Sequence, residues 1–196
     1  MIILSIPANS DTIPAVENID LIEIRLDYLK ENSFQSYLTN LRPTSKTIIT
    51  IRDESEGGKF ALEAEKKLNL YKEFILKWDC LVDFEYKLYI KQKHLLPPHN
   101  LILSLHSFEK FDYNEIRKFL TDASQIDCAY LKLAVNIDTY SDLTKLSELL
   151  TGYDKPVLFA GLGKLGKLSR LLHHYLKAAG TYVGLDDNLI NPYQLS

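Results

Sequence analysis

Eight short runs rich in Ile, Leu and Val recur along the chain at moderate spacing, at residues 2–6, 21–26, 47–52, 81–86, 101–106, 130–135, 157–160 and 181–185. The stretches between several of them have helical periodicity. It is clearest over 61–78, where Leu62, Leu68, Tyr71, Phe74, Ile75 and Trp78 share one broad face, and it returns at 114–120, 140–150 and 165–179. Strands that alternate with helices predict a parallel sheet covered by those helices. Eight repeats without a linker predict closure into a compact (β/α)8 TIM barrel of the α/β class, one domain over residues 1–196. Barrels of this class typically need about 200 residues or more, so some covering helices must be trimmed or missing. The segments 8–20 and 87–100, the latter carrying Pro97-Pro98, are the expected places. The first run begins at Ile2, so no N-terminal hairpin is expected.

Composition narrows the partner. The 23 Lys and Arg stand against 26 Asp and Glu, for a formal charge of -3, which leaves no bulk electrostatic footprint for nucleic acid or an anionic membrane. No apolar stretch is long enough to span a bilayer, and the start of the chain lacks the features of a signal peptide. Cys80 and Cys128 are far apart and fit neither a disulfide framework nor a zinc site, which suits a reducing, cytoplasmic setting. The expected partner is a small molecule, with no nucleic acid, no membrane and no cofactor.

The faces of the strands carry the functional signal. In the second run, alternation sets Ile22, Ile24 and Leu26 against Glu23, Arg25 and Asp27. Both faces of a parallel strand are normally covered, so these charges must point into a shared interior and neutralise one another. Four further runs repeat the pattern, with Thr50 and Arg52, Asp83 and Glu85, Ser104 and His106, and Lys132 opposite apolar neighbours. Burying one such charge is costly, so a single case reads as an exposed or locally paired side chain. Five coincident cases, several at the strand ends where barrel enzymes build their sites, point to function.

Taken as chemistry, the set offers an amine, an imidazole, carboxylates and guanidinium groups. Lys132, between Leu131 and Leu133 and expected to face other cations, is the candidate nucleophile for imine formation with a ketone. His106 is the candidate for moving protons. Arginines on other strands suit an anionic, oxygen-rich substrate, held through a carboxylate. No metal-ligand spacing competes. Lys59, Lys66 and Lys67 are assigned to the solvated side of the 61–78 helix.

These segments resemble the type I 3-dehydroquinate dehydratase family, in order from the first strands to the C-terminus. "DLIEIRLDYL" is similar to the family's E-x-R-x-D strand and "TIITIRDESEGG" to its T-x-R…E-G-G segment. "LILSLHSF", "YLKLAV" and "GLGKLGKLSR" resemble its histidine strand, lysine strand and G-x-x-S-R turn. The resemblance implies an enzyme of the shikimate pathway that eliminates water from 3-dehydroquinate. In it, Lys132 forms the imine, His106 is the general acid/base and Glu56 orients that histidine. Glu23, Arg25 and Arg52 match ligands of the ring hydroxyls and a polar network, Arg170 the arginine on the substrate carboxylate, and Gln194 the glutamine of a closing loop. Dimers are common in the family, so a homodimer is the expectation by analogy.

The chain departs from the family pattern in places. Ala160 and Leu162 stand where methionines are common, and the closing segment reads Ile190-Asn191-Pro192-Tyr193-Gln194 where the family has S-A-P-G-Q. Tyr193 there either covers the substrate or packs on the rim. Three other readings stay open. A barrel that binds without reacting is one, and another Schiff-base barrel of the aldolase kind is a second, though it leaves the E-x-R-x-D strand unexplained. The third is a dinucleotide site, since Gly161-x-Gly163-x-x-Gly166 follows a strand and Asp186-Asp187 follow the next one. That unit would end the chain where a dinucleotide fold needs further strands, so the glycines read more simply as a tight turn close to a substrate.

Overall fold

A computed structural model describes residues 1–8, 17–59, 61–92, 96–185 and 195. Eight strands close a barrel in sequence order, every neighbour parallel. They are β1 (Ile2–Pro7), β2 (Leu21–Arg25), β3 (Thr47–Thr50), β4 (Leu81–Glu85), β5 (Leu101–Ser107), β6 (Tyr130–Asn136), β7 (Val157–Leu162) and β8 (Gly180–Val183). Closure comes from β1 on β8, with Ile3 opposite Tyr182 and Leu4 opposite Val183. Gly161 to Gly166 run from the end of β7 through a turn to the start of the helix at Gly166–Leu171, but β8 closes the sheet onto β1, so there is no open doubly wound sheet for a dinucleotide and that reading falls.

Six α-helices lie among the described residues: α1 (Phe34–Leu41), α2 (Ala64–Trp78), α3 (Tyr86–Tyr89), α4 (Tyr113–Ser124), α5 (Tyr140–Thr151) and α6 (Gly166–Leu171). Local chemistry sets their ends. Asp112 caps α4 by accepting from the backbone of Asn114 and Glu115, and Thr139 with Asp142 forms a capping box at α5. Helix α2 buries Leu68, Tyr71 and Phe74 and stops at Asp79, which takes a left-handed conformation.

One connection is less helical than its periodicity suggests, and another is trimmed as expected. The 165–179 stretch is helical only through α6, then turns, with Lys177 at φ 63°. The 87–100 connection holds α3 and a 3-10 turn at Pro98–Asn100, as expected for a trimmed segment. Helix α1 has no counterpart among the helices expected above. It buries only Phe34 and Leu38, too thin an apolar stripe to stand out in a polar stretch.

Two apolar layers frame the polar interior. Between sheet and helices lies a large cluster that includes Ile24, Ile49, Val82, Leu103, Leu133 and Phe159. Inside the barrel a smaller one, including Ile3, Leu21, Ile48, Leu81, Ile102, Leu158 and Tyr182, forms a floor. Register does the rest. Ser5 pairs with Glu23, Thr50 with Asp83, Glu85 with Ser104, and Ser104 with Lys132, so the inward polar residues of neighbouring strands meet above that floor.

Candidate active site

Lys132 projects from β6 into this polar layer. Its Nζ donates to Glu23 Oε1 and Asp83 Oδ2, each at 2.7 Å, and lies 4.3 Å above the ring centre of Tyr182. The groups that face it are thus carboxylates and an aromatic ring. This corrects the expectation of facing cations: alternation tells which side of a strand a residue takes, but the partner across a barrel depends on stagger. Ser5 and Thr50 donate their hydroxyls to Glu23, the latter at 2.9 Å. Burial pushes the Glu23 carboxyl up, but the charge and hydrogen bond of Lys132 together with the Arg25 cation bring the net direction down.

Arg52 binds the other side of Asp83. Its Nη2 lies 2.5 Å from Asp83 Oδ2, while Nη1 donates to Ser104 Oγ at 2.8 Å and stands 3.0 Å from Glu85 Oε1. Ser104 in turn donates to Asp83 Oδ1 at 2.6 Å. Burial works against the Asp83 carboxylate, but Arg52 and Lys132 hold it well below the usual carboxylate range. Arg25 is locked onto Asp27 by two bonds of 2.8 and 2.7 Å.

The imidazole stands near the rim. Glu56, on a 3-10 turn after β3, places Oε2 at 2.9 Å from His106 Nδ1 and accepts the backbone N–H of His106 at 3.2 Å. Burial first, then the Arg52 and Lys132 cations, hold His106 well below the ordinary histidine range, so its imidazole is neutral at pH 7. Burial raises Glu56 to about 7, against the pull of Arg52. Phe108 stacks beside His106 and rests on Gly57, where a Cβ would come within 2.7 Å of the ring. A side chain at Gly57 would collide with that wall.

Arg170 enters from α6. Its Nε donates to the carbonyl of Gly161 at 2.9 Å and Nη1 to that of Tyr182 at 2.6 Å, which leaves Nη2 buried without a partner. A guanidinium strung between two strand ends with one nitrogen unused suits an oxyanion. Burial pulls Arg170 down to about 10.

A single cleft brings together Glu23, Arg25, Arg52, Glu56, His106, Lys132 and Arg170, with Ala160 and Leu162 in its wall. Seven of the eight residues singled out above therefore share one space. Gln194, with Tyr193 and the rest of the closing segment, lies outside the described residues. Asp83 and Glu85 were recognisable as inward charges but matched no role. Ser5 and Tyr182 were missed, since neither carries a charge to mark an inward strand position.

Lys67 corrects another expectation. It is 1% exposed and paired with Glu85, where the helical wheel placed it in solvent. A lysine adjacent to an apolar stripe looks solvated unless the carboxylate that draws it in is known. Among the described residues, no cluster of His, Cys, Asp and Glu could hold a metal ion, and no helix is long and apolar enough to cross a membrane.

Fold and site together define a class: a parallel-barrel enzyme with a buried amine and a carboxylate-tethered imidazole facing one cleft. The chain belongs to the type I 3-dehydroquinase family, which matches residues 5–196. It is 28% identical over 189 residues to a 3-dehydroquinate dehydratase of Streptococcus pyogenes serotype M5, covering 91% of this chain and 82% of that protein. Among solved structures, a type I 3-dehydroquinate dehydratase of Clostridium difficile, with covalent modified comenic acid, superposes with a TM-score of 0.76. Its identity is 21%, over 100% of this chain and 86% of that one. The Aquifex aeolicus enzyme gives 0.71 at 23% identity, over 100% and 93%.

Proposed function

We propose that this chain is a 3-dehydroquinate dehydratase that works through an imine on Lys132. The observation that carries the reading is the placement of the Lys132 amine beneath an imidazole in one cleft, the amine held by two carboxylates and the imidazole by a third. The Lys132 amine adds to the ketone of 3-dehydroquinate, and loss of water from the carbinolamine gives an iminium. The ammonium first gives up a proton to water; Glu23 and Asp83, each 2.7 Å from Nζ, stay ionised and are placed to stabilise the iminium cation that forms there.

The iminium draws electrons from the adjacent carbon, whose proton passes to Nε2 of His106. That nitrogen is free to accept because Nδ1 donates to the ionised Glu56. The enamine then expels the β-hydroxyl, which leaves as water with a proton returned from His106. Hydrolysis of the product imine frees 3-dehydroshikimate and restores the amine. Arg170, through Nη2, meets the substrate carboxylate. Arg25 and Arg52 hold ring hydroxyls directly or through their carboxylate partners, and Gln194 belongs to the closing segment.

The reading includes a single catalytic domain over residues 1–196 and a cytoplasmic setting, in keeping with two free cysteines. It also includes a homodimer; a 22.5 kDa species at assay concentration would remove that part. Incubation with 3-dehydroquinate and borohydride, then peptide mass mapping, tests the chemistry. The expected result is a reduced adduct on Lys132 together with release of 3-dehydroshikimate without reductant. Binding with neither adduct nor turnover would leave the scaffold that binds without reacting.

A further inference from the structure

Lys67 lies on α2, outside the barrel wall, and yet its ammonium is buried against the ring faces of Phe84 and Tyr71, 5.1 and 5.9 Å from their centres. Burying an ammonium between a helix and a sheet is costly unless a partner compensates. The partner is Glu85 at the end of β4. Glu85 is itself fully buried and has two oxygens to satisfy. Lys67 takes Oε2, while Oε1 accepts the backbone N–H of Asp53 at 2.9 Å and faces Nη1 of Arg52 at 3.0 Å.

From there the chain of contacts runs inward without a gap. Arg52 binds Asp83, and Asp83 binds Lys132. The charged groups set around Glu85 are Lys67 from α2, Arg52 after β3, Asp83 on its own strand and Glu56 across the rim. With Lys67 present, Arg52 is divided between Asp83 and Glu85. Without it, Glu85 would keep only Arg52 and the Asp53 N–H, and its free oxygen would compete with Asp83 for the guanidinium.

We infer that Lys67 is a positioning residue for the reaction: by occupying one oxygen of Glu85 it fixes Arg52 on Asp83 and thereby Asp83 on the amine of Lys132. This rests on the proposed dehydratase function. Burial holds the Lys67 amine below the ordinary lysine range in spite of Glu85, so the position tolerates a cation only while that pair is intact.

The test uses the full chain with Lys67→Gln, Lys67→Met and Lys67→Arg, measuring kcat, KM and the pH dependence of kcat/KM alongside circular dichroism. Misalignment at this remove from the chemistry is expected to lower kcat about 10- to 100-fold, with a far smaller change in KM. The acid limb should also move to higher pH in the neutral variants, because the Glu85 charge already raises Glu56 and would be less offset without the Lys67 cation. Lys67→Arg should restore most of kcat and the pH profile. Gln keeps a hydrogen bond to Glu85, so it serves if the Met variant does not fold. A folded neutral variant with native kcat and an unmoved acid limb overturns the inference, as does a loss that only follows the folded fraction. If the native chain forms no Lys132 adduct, the dehydratase reading falls as well; if it does and Lys67→Gln behaves as native, this inference falls alone.

Discussion

Oε2 of Glu56 accepts two bonds from one residue, the imidazole Nδ1 of His106 at 2.9 Å and its backbone N–H at 3.2 Å. The tether decides which tautomer of His106 faces the cleft. An ionised Glu56 takes the Nδ1 proton and leaves Nε2 as a base; a protonated Glu56 donates to Nδ1 and puts the proton on Nε2. Since burial raises Glu56 to about 7, kcat/KM should fall as pH drops through about 7. A rate profile from pH 5 to 9 checks this, and an acid limb centred near 4.5 would contradict it. Glu56→Gln should erase that limb and lower kcat.

The same carboxyl has a consequence for stability. Its folded value, about 7, lies above the ordinary 4.5, so the folded chain holds that proton more tightly than the unfolded one. The contribution is complete below about 4.5 and is lost as pH rises through about 7. Glu56→Gln cannot ionise, so at pH 8 it should be more stable than the native chain, by up to about 3 kcal/mol. Urea unfolding at pH 8 and pH 5 measures the difference, which should shrink at the lower pH.

The barrel and most of its cleft were legible because strand periodicity is local. Glu23, Arg25, Asp83, Glu85 and Lys132 alternate with apolar residues within strands of five to seven residues, and parallel closure forces one face inward. Contacts that cross the barrel were not legible. Lys132 meets Glu23 and Asp83 across 109 and 49 residues of chain, and nothing local distinguishes those carboxylates from the cations expected there. Lys67 was lost for a related reason, since the outward face of one helix position depends on a strand end 18 residues away. Arg170 is intermediate. Its motif gave its role by resemblance, whereas its hold on two strand carbonyls emerges only from the fold.

Lys132→Met should abolish both turnover and the borohydride adduct. It should also destabilise the chain, since it strips a cation from two buried carboxylates. Glu23 keeps Ser5 and Thr50, and Asp83 keeps Arg52 and Ser104, so the loss should sit near the low end of the range for breaking a buried pair, about 3 kcal/mol. Thermal and urea unfolding read it; an unchanged midpoint would mean that the amine is not a partner of both carboxylates.

Arg170 separates binding from chemistry. Two of its nitrogens are used by strand carbonyls and the third is not. A lysine in its place would offer a point charge without the planar fork. Arg170→Lys should therefore raise KM about 10-fold or more, the worth of one charge-assisted hydrogen bond, with a smaller effect on kcat. A KM that stays put while kcat collapses would place Arg170 in the chemical step.

Gly161 gives a way to move Arg170 without touching it. The carbonyl of Gly161 accepts Nε of Arg170, and a Cβ at Gly161 would lie 1.8 Å from Oγ of Ser169, the residue before Arg170 on α6. Ser169 cannot simply turn away, because it is fully buried and its hydroxyl donates to the carbonyl of Gly166 at 2.7 Å. Gly161→Ala must then push α6 outward and carry the guanidinium with it. The expected outcome is a KM raised about as much as in Arg170→Lys, with the Lys132 adduct still formed at saturating substrate and a lowered melting temperature. The double variant Gly161→Ala/Ser169→Gly removes the obstructing hydroxyl, and it should recover much of the lost affinity if the displacement of α6 is the cause. Failure to recover, with a folded chain, would assign the effect to β7 itself.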